Sequence, residues 1–177
     1  MRPRVHDERP PVKFRLPQGH DAVPAIQSQG YASHPAVRHE DTWFERPQGA
    51  MLGSIVLRHV IPDGAWTMAW ETTIATGPEA ERHHLWTPVD GPRMWARLQR
   101  LGMDPVLTLQ AQRVPLHKGS SKVAVERIRD LGDFLEVPGP DKLGVFRSEV
   151  SMLLRLLGAE GPLTRSYRDL AVPAPAA

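Results

Sequence analysis

Residues 54–74 read SIVLRHVIPDGAWTMAWETTI. Two runs with alternating side-chain character flank Pro62-Asp63-Gly64. Period-two alternation marks a strand with two unlike faces, and a proline, aspartate and glycine in succession suit a short hairpin loop. The stretch therefore reads as two antiparallel strands. The same alternation recurs outward in both directions, in VKFRL at 12–16, VRHEDTWF at 37–44, ERHHLW at 81–86, VLTLQAQRVPL at 106–116, KVAVERI at 122–128 and DFLEV at 133–137. With 54–61 and 65–74, about eight strands are expected. Three pieces carry helical spacing instead. RMWARLQRLG at 93–102 puts Met94, Trp95, Leu98 and Leu101 on one stripe before Gly102, LGVFRSEVSMLLRLLG at 143–158 repeats apolar residues up to Gly158, and DAVPAIQS at 21–28 is a short third candidate. Many antiparallel strands with few helices read as α+β, and a barrel or a sandwich of about eight strands is the natural way to manage the sheet edges.

Length and composition set the outer bounds. At 177 residues the chain suits one domain, expected over 11–170, with MRPRVHDERP at 1–10 as a disordered arm and AVPAPAA at 171–177 as a disordered tail. Eighteen prolines fall mostly between the apolar runs and punctuate them. There is no cysteine, so neither a disulfide nor thiolate ligation is open to the chain. Twenty-two Lys and Arg against 20 Asp and Glu leave a net charge of only +2, scattered along the chain, which does not favour nucleic acid as a partner. No apolar run approaches the ~20 residues that cross a bilayer, and no apolar segment follows the first arginines, so the expectation is a soluble, cytoplasmic protein with no membrane partner. A homodimer stays open. Phosphate-loop, dinucleotide-loop, zinc-protease and nucleophile-elbow motifs are absent. His83-His84 is not a chelating pair, because adjacent strand residues point to opposite faces.

The strand faces carry the chemistry. Same-face sets mix charge with apolar groups: Lys13 with Arg15; His39, Asp41 and Trp43; Val56, Arg58 and Val60; Trp66, Met68 and Trp70; Arg82, His84 and Trp86; Leu109, Ala111 and Arg113; Glu126 and Ile128; Phe134 and Glu136. A charged face on one strand is as readily a solvated surface. Taken together, however, the opposite faces hold Ile55, Leu57, Leu135 and Val137, which suit packing beneath helices, and the charged sets would then line the interior.

In order along the chain, HEDTWF at 39–44, VLRH at 56–59, ERHHLW at 81–86, LQAQRVPL at 109–116, RDLGDFLEV at 129–137 and SYRDL at 166–170 resemble the CYTH superfamily, which holds class IV adenylate cyclases and thiamine triphosphatases, the triphosphate tunnel metalloenzymes. LGDFLEV and SYRDL are the most specific matches, and the resemblance covers about 11–170. It implies an eight-stranded tunnel whose Arg and Lys side chains grip a triphosphate and whose glutamates hold divalent cations. Carried over position by position, the retained polar residues are Lys13, Asp41, Arg58, Arg82, Arg113 and Glu136. Glu126 stands where the family has aspartate, and Ser166 with Tyr167 matches the closing motif.

The departures alter the expected chemistry. The opening family glutamates would fall at Arg9 and Pro11, later ones at His84, Trp86 and Pro138; a family arginine is Val60, a lysine is Ala111, and Trp70 takes the place of another lysine. Magnesium needs carboxylate oxygens, so the resemblance with these losses implies no resident metal and no required cofactor, magnesium or manganese entering only if a phosphorylated substrate carries it. Trp43, Trp66, Trp70, Trp86 and His39, His59 and His84 suit an organic ligand, with covering a barrel end the other reading of Trp66. The reading is a divergent CYTH-fold enzyme, of cyclase, lyase or hydrolase type, acting on an organic anionic small molecule in a specialised biosynthetic pathway. The expected substrate-binding residues are Lys13, Asp41, Trp43, Arg58, Trp70, Arg82, Trp86, Arg113, Glu126 and Tyr167, with acid–base work falling to His84, Glu136 or His39. The alternatives are the parental metal-dependent triphosphate cyclase or hydrolase, and a non-catalytic protein that binds an anionic ligand.

Overall fold

A computed structural model describes residues 11–19, 21–46, 53–72, 86–140, 144–163 and 166–172. The elements are β1 (Val12–Arg15), α1 (Ala22–Gln27), β2 (Ala32–Ser33), β3 (Val37–Glu45), β4 (Gly53–Ile61), β5 (Trp66–Thr72), β6 (Thr87–Pro88), α2 (Gly91–Arg100), β7 (Asp104–Lys118), β8 (Ser121–Ile128), β9 (Gly132–Val137), α3 (Ser148–Leu156) and α4 (Tyr167–Ala171). The strands follow the hydrogen-bonded order β1-β9-β8-β7-β3-β4-β5-β6, with β2 on β7, and the pairings whose register is resolved are antiparallel. The α+β expectation holds. Closure into a barrel does not: among the described residues the ladder runs from β1 to β6 and stops. Among the described residues β6 is Thr87–Pro88.

Two compact units make up the chain, one of residues up to 35 with 114–126 and 132–163, the other of 36–113 with 127–131 and 164 onward. In the first, Phe14 and Val12 of β1, Leu135 and Val137 of β9, Val123 and Val125 of β8 and Leu116 of β7 supply one apolar face, which packs with Ala22 and Ile26 of α1 and Val150, Leu153 and Leu157 around α3. Leu163 N–H bonds the Lys13 carbonyl at 2.8 Å and Glu160 N–H the Arg15 carbonyl at 3.0 Å, giving the free edge of β1 a partner. The β7–β8 connection is Gly119-Ser120, as expected of a hairpin tip, and Gly119 at φ 55° takes the left-handed conformation such a loop needs. In the second unit, Phe44 of β3, Leu57 of β4, Leu98 of α2 and Met103 form the core, with Ile55, Trp66, Met68, Met94 and Trp95 packed on it. Phe44 meets Trp95 edge to face, with ring centroids 4.8 Å apart.

The helices match the apolar stripes with shifted ends. α2 begins at Gly91, two residues before the expected start, capped by Asp90, whose side chain accepts from Arg93 N–H. α3 begins only at Ser148 because Arg147, at ψ 146°, is extended. α4 is a helix that the alternation did not signal; Ser166 caps it by accepting from Asp169 N–H, and it takes in Ala171, the first residue of the expected disordered tail. The strand expected over 81–86 lies outside the described residues except for Trp86. Among the described residues no helix is long and apolar enough to cross a membrane.

α2 docks through its first residue. A Cβ at Gly91 would lie 2.1 Å from Cδ2 of Trp66, so only glycine permits this approach. Gly91→Ala is expected to cost about 1–3 kcal/mol through overpacking, read as a lower urea midpoint with an unchanged slope.

Candidate functional site

Register decides which side chains share a face. In the second unit Asp41 pairs with Arg58 and Trp43 with Val56 between β3 and β4. Between β4 and β5, Arg58 pairs with Thr67, Val56 with Ala69 and Ser54 with Glu71. Directly opposed residues point the same way, so His39, Asp41, Trp43, Ser54, Val56, Arg58, Val60, Thr67, Ala69 and Glu71 share one face. The other face carries Phe44, Leu57 and Met68 into the core beneath α2.

At the centre of the shared face the Arg58 guanidinium forks onto the Asp41 carboxylate, Nε to Oδ1 and Nη2 to Oδ2, both at 2.7 Å. Two parallel charge-assisted bonds fix both side chains in one plane. The Trp86 ring lies against this plane, its centroid 4.2 Å from Arg58 Cζ, within range of cation–π attraction. Buried His39 sits beside the pair, its Nε2 3.8 Å from Asp41 Oδ2. Asp41 thus faces a guanidinium on one side and an imidazole on the other. Further along the face Trp43 Nε1 donates to Glu71 Oε2 at 2.6 Å, both side chains buried. At the end of β3, Arg168 of α4 pairs with Glu45 and lies 3.5 Å from Asp169.

The first unit holds its own cluster. Lys13 pairs with Glu136 in the β1–β9 register. Its Nζ is 3.4 Å from Oε2 of Glu126, whose side chain is only 3 % exposed, and 3.9 Å from Oε2 of Glu136. Two carboxylates around one ammonium is a satisfied ion cluster rather than a cation site. Among the described residues no three His, Asp or Glu side chains are grouped to hold a metal ion. Those residues do not fit the divalent cation that the CYTH resemblance implies.

Of the expected site residues, Asp41, Arg58, Trp86 and His39 therefore stand in one cluster with Trp43 on the same face, and Lys13, Glu126 and Glu136 form another. Arg113 ends the row, opposite Val37, and Tyr167 opens α4 half-buried. Arg82 and His84 lie outside the described residues. The expectation for Trp70 needs correction. It pairs with Ile55, on the face opposite to Arg58, and is 40 % exposed. His59 and Trp66 also pair on that side, stacked at 4.3 Å. The cause is the hairpin loop: Val60 N–H bonds the Ala65 carbonyl and Gly64 N–H the Val60 carbonyl, a connection that places Thr67 rather than Trp66 in phase with Arg58. The same phase brings in Glu71, which the sequence reading passed over. Its signal was the set Thr67, Ala69 and Glu71, two small residues and one carboxylate alternating with the large side chains.

No protein-family model matches the chain, and no curated protein matches it in sequence. Solved structures do. A conserved protein of Pyrococcus furiosus superposes with a TM-score of 0.69 at 18 % identity, covering 90 % of this chain and 98 % of its own. A proposed adenylate cyclase of Vibrio parahaemolyticus gives 0.68 at 20 % identity, covering 91 % and 95 %. A proposed adenylyl cyclase of Hippeastrum, described as having a dominant triphosphatase activity, gives 0.63 at 10 % identity, covering 84 % and 87 %. The fold is thus CYTH-like.

The Trp43–Glu71 bond has a measurable consequence. Trp43→Phe deprives a buried carboxylate of its indole donor and is expected to cost about 1.5–3 kcal/mol in chemical denaturation. Trp70→Phe, on the exposed opposite face, should stay within about 0.5 kcal/mol of wild type.

Proposed function

We propose that the protein is a CYTH-fold enzyme acting on an organic anionic small molecule, bound at the polar face of β3, β4 and β5. The observation that carries this reading is the Asp41–Arg58 fork lying against Trp86 with His39 beside it. An arginine held in a plane by a carboxylate and an indole is preorganised, so little side-chain entropy is lost when an anionic group meets it. An aromatic wall next to that anchor suits a ligand with an organic body. His39 is the side chain in the cluster able to take up and return a proton near neutral pH, and Asp41 is placed to orient its ring and to favour the imidazolium once formed. Arg58 binds, Trp86 orients and His39 moves the proton. The activities named for the Vibrio and Hippeastrum proteins make triphosphate cyclisation or hydrolysis the competing reading.

Thermal shift separates the two. Organic phosphates, diphosphates and carboxylates, nucleotides, thiamine phosphates and tripolyphosphate are each tested with and without magnesium or manganese. The expected outcome is stabilisation by an organic anion, independent of metal and weakened roughly ten- to hundredfold in Arg58→Gln, the loss of one charge-assisted contact. Stabilisation only by triphosphate together with metal favours the competing reading. Once a substrate is in hand, His39→Gln should lower turnover by about 10²–10⁴-fold while leaving binding intact.

A further inference from the structure

On the side of the second unit's sheet away from Arg58, α2 carries a surface that the ligand site does not use. Gly91 and Leu98 are buried, and the helix turns Arg93, Arg97 and Arg100 to solvent. Arg93, Arg97 and Leu101 stand at i, i+4 and i+8, so they form one ridge along the helix with Arg100 beside it. Helical spacing puts Leu101 on the stripe of Met94, Trp95 and Leu98, yet at the C-cap it is 51 % exposed. Asp90 at the N-cap meets Arg93, Oδ2 lying 3.4 Å from Nε, and Arg100 Nε donates to the Ala96 carbonyl at 3.3 Å. From Gly91 to Leu101 there is no acidic residue, and among the described residues neither Arg97 nor Arg100 has a carboxylate partner. A solvated helix face ordinarily intersperses both signs, because like charges at i, i+4 repel. The helix dipole favours Arg97 and Arg100 in the last turn but opposes Arg93 in the first.

We infer that the outer ridge of α2 is a docking surface for an amphipathic acidic segment of a partner protein, with carboxylates on Arg93, Arg97 and Arg100 and an apolar side chain on Leu101. Arginine without lysine, aspartate or glutamate is the composition of a protein interface rather than of a solvated helix. Guanidinium forks suit carboxylates, so charge complementarity sets the sign of the partner. The ridge from Arg93 to Leu101 is about 12 Å long at ~1.5 Å per residue, the length of about two turns of a partner helix. Leu101 supplies the apolar anchor at its end, a contact from which a phosphate backbone gains nothing. The apolar stripe of α2 is engaged with Phe44 and Leu57 in the core, so the helix has no such face to lay into a bilayer. Because the ridge and the Asp41–Arg58 fork lie on opposite sides of the sheet, partner and small ligand can be held at once.

The test uses the full chain and four probes. Fluorescence anisotropy follows a labelled helical peptide of Glu, Leu and Ala, with glutamates at i, i+4 and i+7 and leucine on the adjoining row, the same peptide with lysine for glutamate, and oligothymidylate. Co-sedimentation follows vesicles of phosphatidylcholine and phosphatidylserine. Wild type is expected to prefer the glutamate peptide to the other three and to bind it less tightly as salt is raised. Arg93→Gln, Arg97→Gln and Arg100→Gln together should weaken that binding at least about tenfold, and Leu101→Ala about three- to tenfold at every salt concentration. A control that removes three exposed cations elsewhere, Arg38→Gln, Lys122→Gln and Arg155→Gln, should change it less than about twofold. Arg97→Glu with Arg100→Glu should turn the preference toward the lysine peptide, a result that an unfolded chain cannot give. Equal losses in the α2 and control variants, tighter binding of oligothymidylate or vesicles than of the glutamate peptide, or no binding of any probe overturns the inference and leaves the ligand site of β3, β4 and β5 standing.

Discussion

A strand face can bury charge only when each charge meets an opposite one, and in this chain backbone register arranges the meeting. Asp41 and Arg58 are directly opposed across β3 and β4, and Lys13 and Glu136 across β1 and β9. Opposed residues have their Cβ atoms about 5 Å apart, so the partners are delivered to each other by the ladder before any side-chain rotamer is chosen. An unpaired charge at the depth of Glu126 would carry a heavy desolvation cost, and the ladder removes it for Glu126 through Lys13. The rest of the arrangement follows. With one face of each sheet segment carrying paired charges, the other must be apolar and must be covered, and α1 and α3 cover it in one unit while α2 covers it in the other.

The two faces do different kinds of work because they are filled by different rules. On the helix-covered faces, Phe44, Leu57, Leu98, Leu135 and Leu153 are packed by volume, and side chains of similar size would serve. On the polar faces the requirements are directional. Trp43 donates its indole N–H to the buried Glu71 carboxylate, and the Arg58 plane is set by two bonds and an indole. Tryptophan appears on both, as core filler at Trp95 and as hydrogen-bond donor at Trp43, so residue type alone does not separate packing from chemistry.

Likeness at 18 or 20 % identity speaks for the fold, and a fold hosts many chemistries. What the chain binds is therefore set by the side chains on the face itself. There, Asp41 and Arg58 are paired and the half-buried Trp86 indole lies against the guanidinium plane. The closing SYRDL segment belongs to the same logic on the structural side: Ser166 caps a short helix, and that helix brings Arg168 to Glu45 at the end of β3.

Much of this was legible from the chain alone. Alternation marked the strands because a half-buried strand must alternate, helical stripes marked α1, α2 and α3 because their spacing matches a helix turn, and the pairing of His39, Asp41 and Trp43 on one face needs nothing beyond period two. The triplet Pro62-Asp63-Gly64 showed that the chain turns. It could not show the phase in which the strands meet afterwards. That phase is a tertiary quantity, set by how the loop hydrogen-bonds, and one residue of difference moves a whole strand's side chains to the other face. It put Thr67 beside Arg58 and Glu71 further along the same face, and turned Trp66 and Trp70 away, the reverse of what their size suggested. The same holds for the ion pairs. Composition supplied Asp41, Arg58, Lys13, Glu126 and Glu136 as charged residues, and only the three-dimensional register decided that they neutralise one another, because a charge's chemistry depends on what lies within a few ångströms of it and a sequence does not contain that distance.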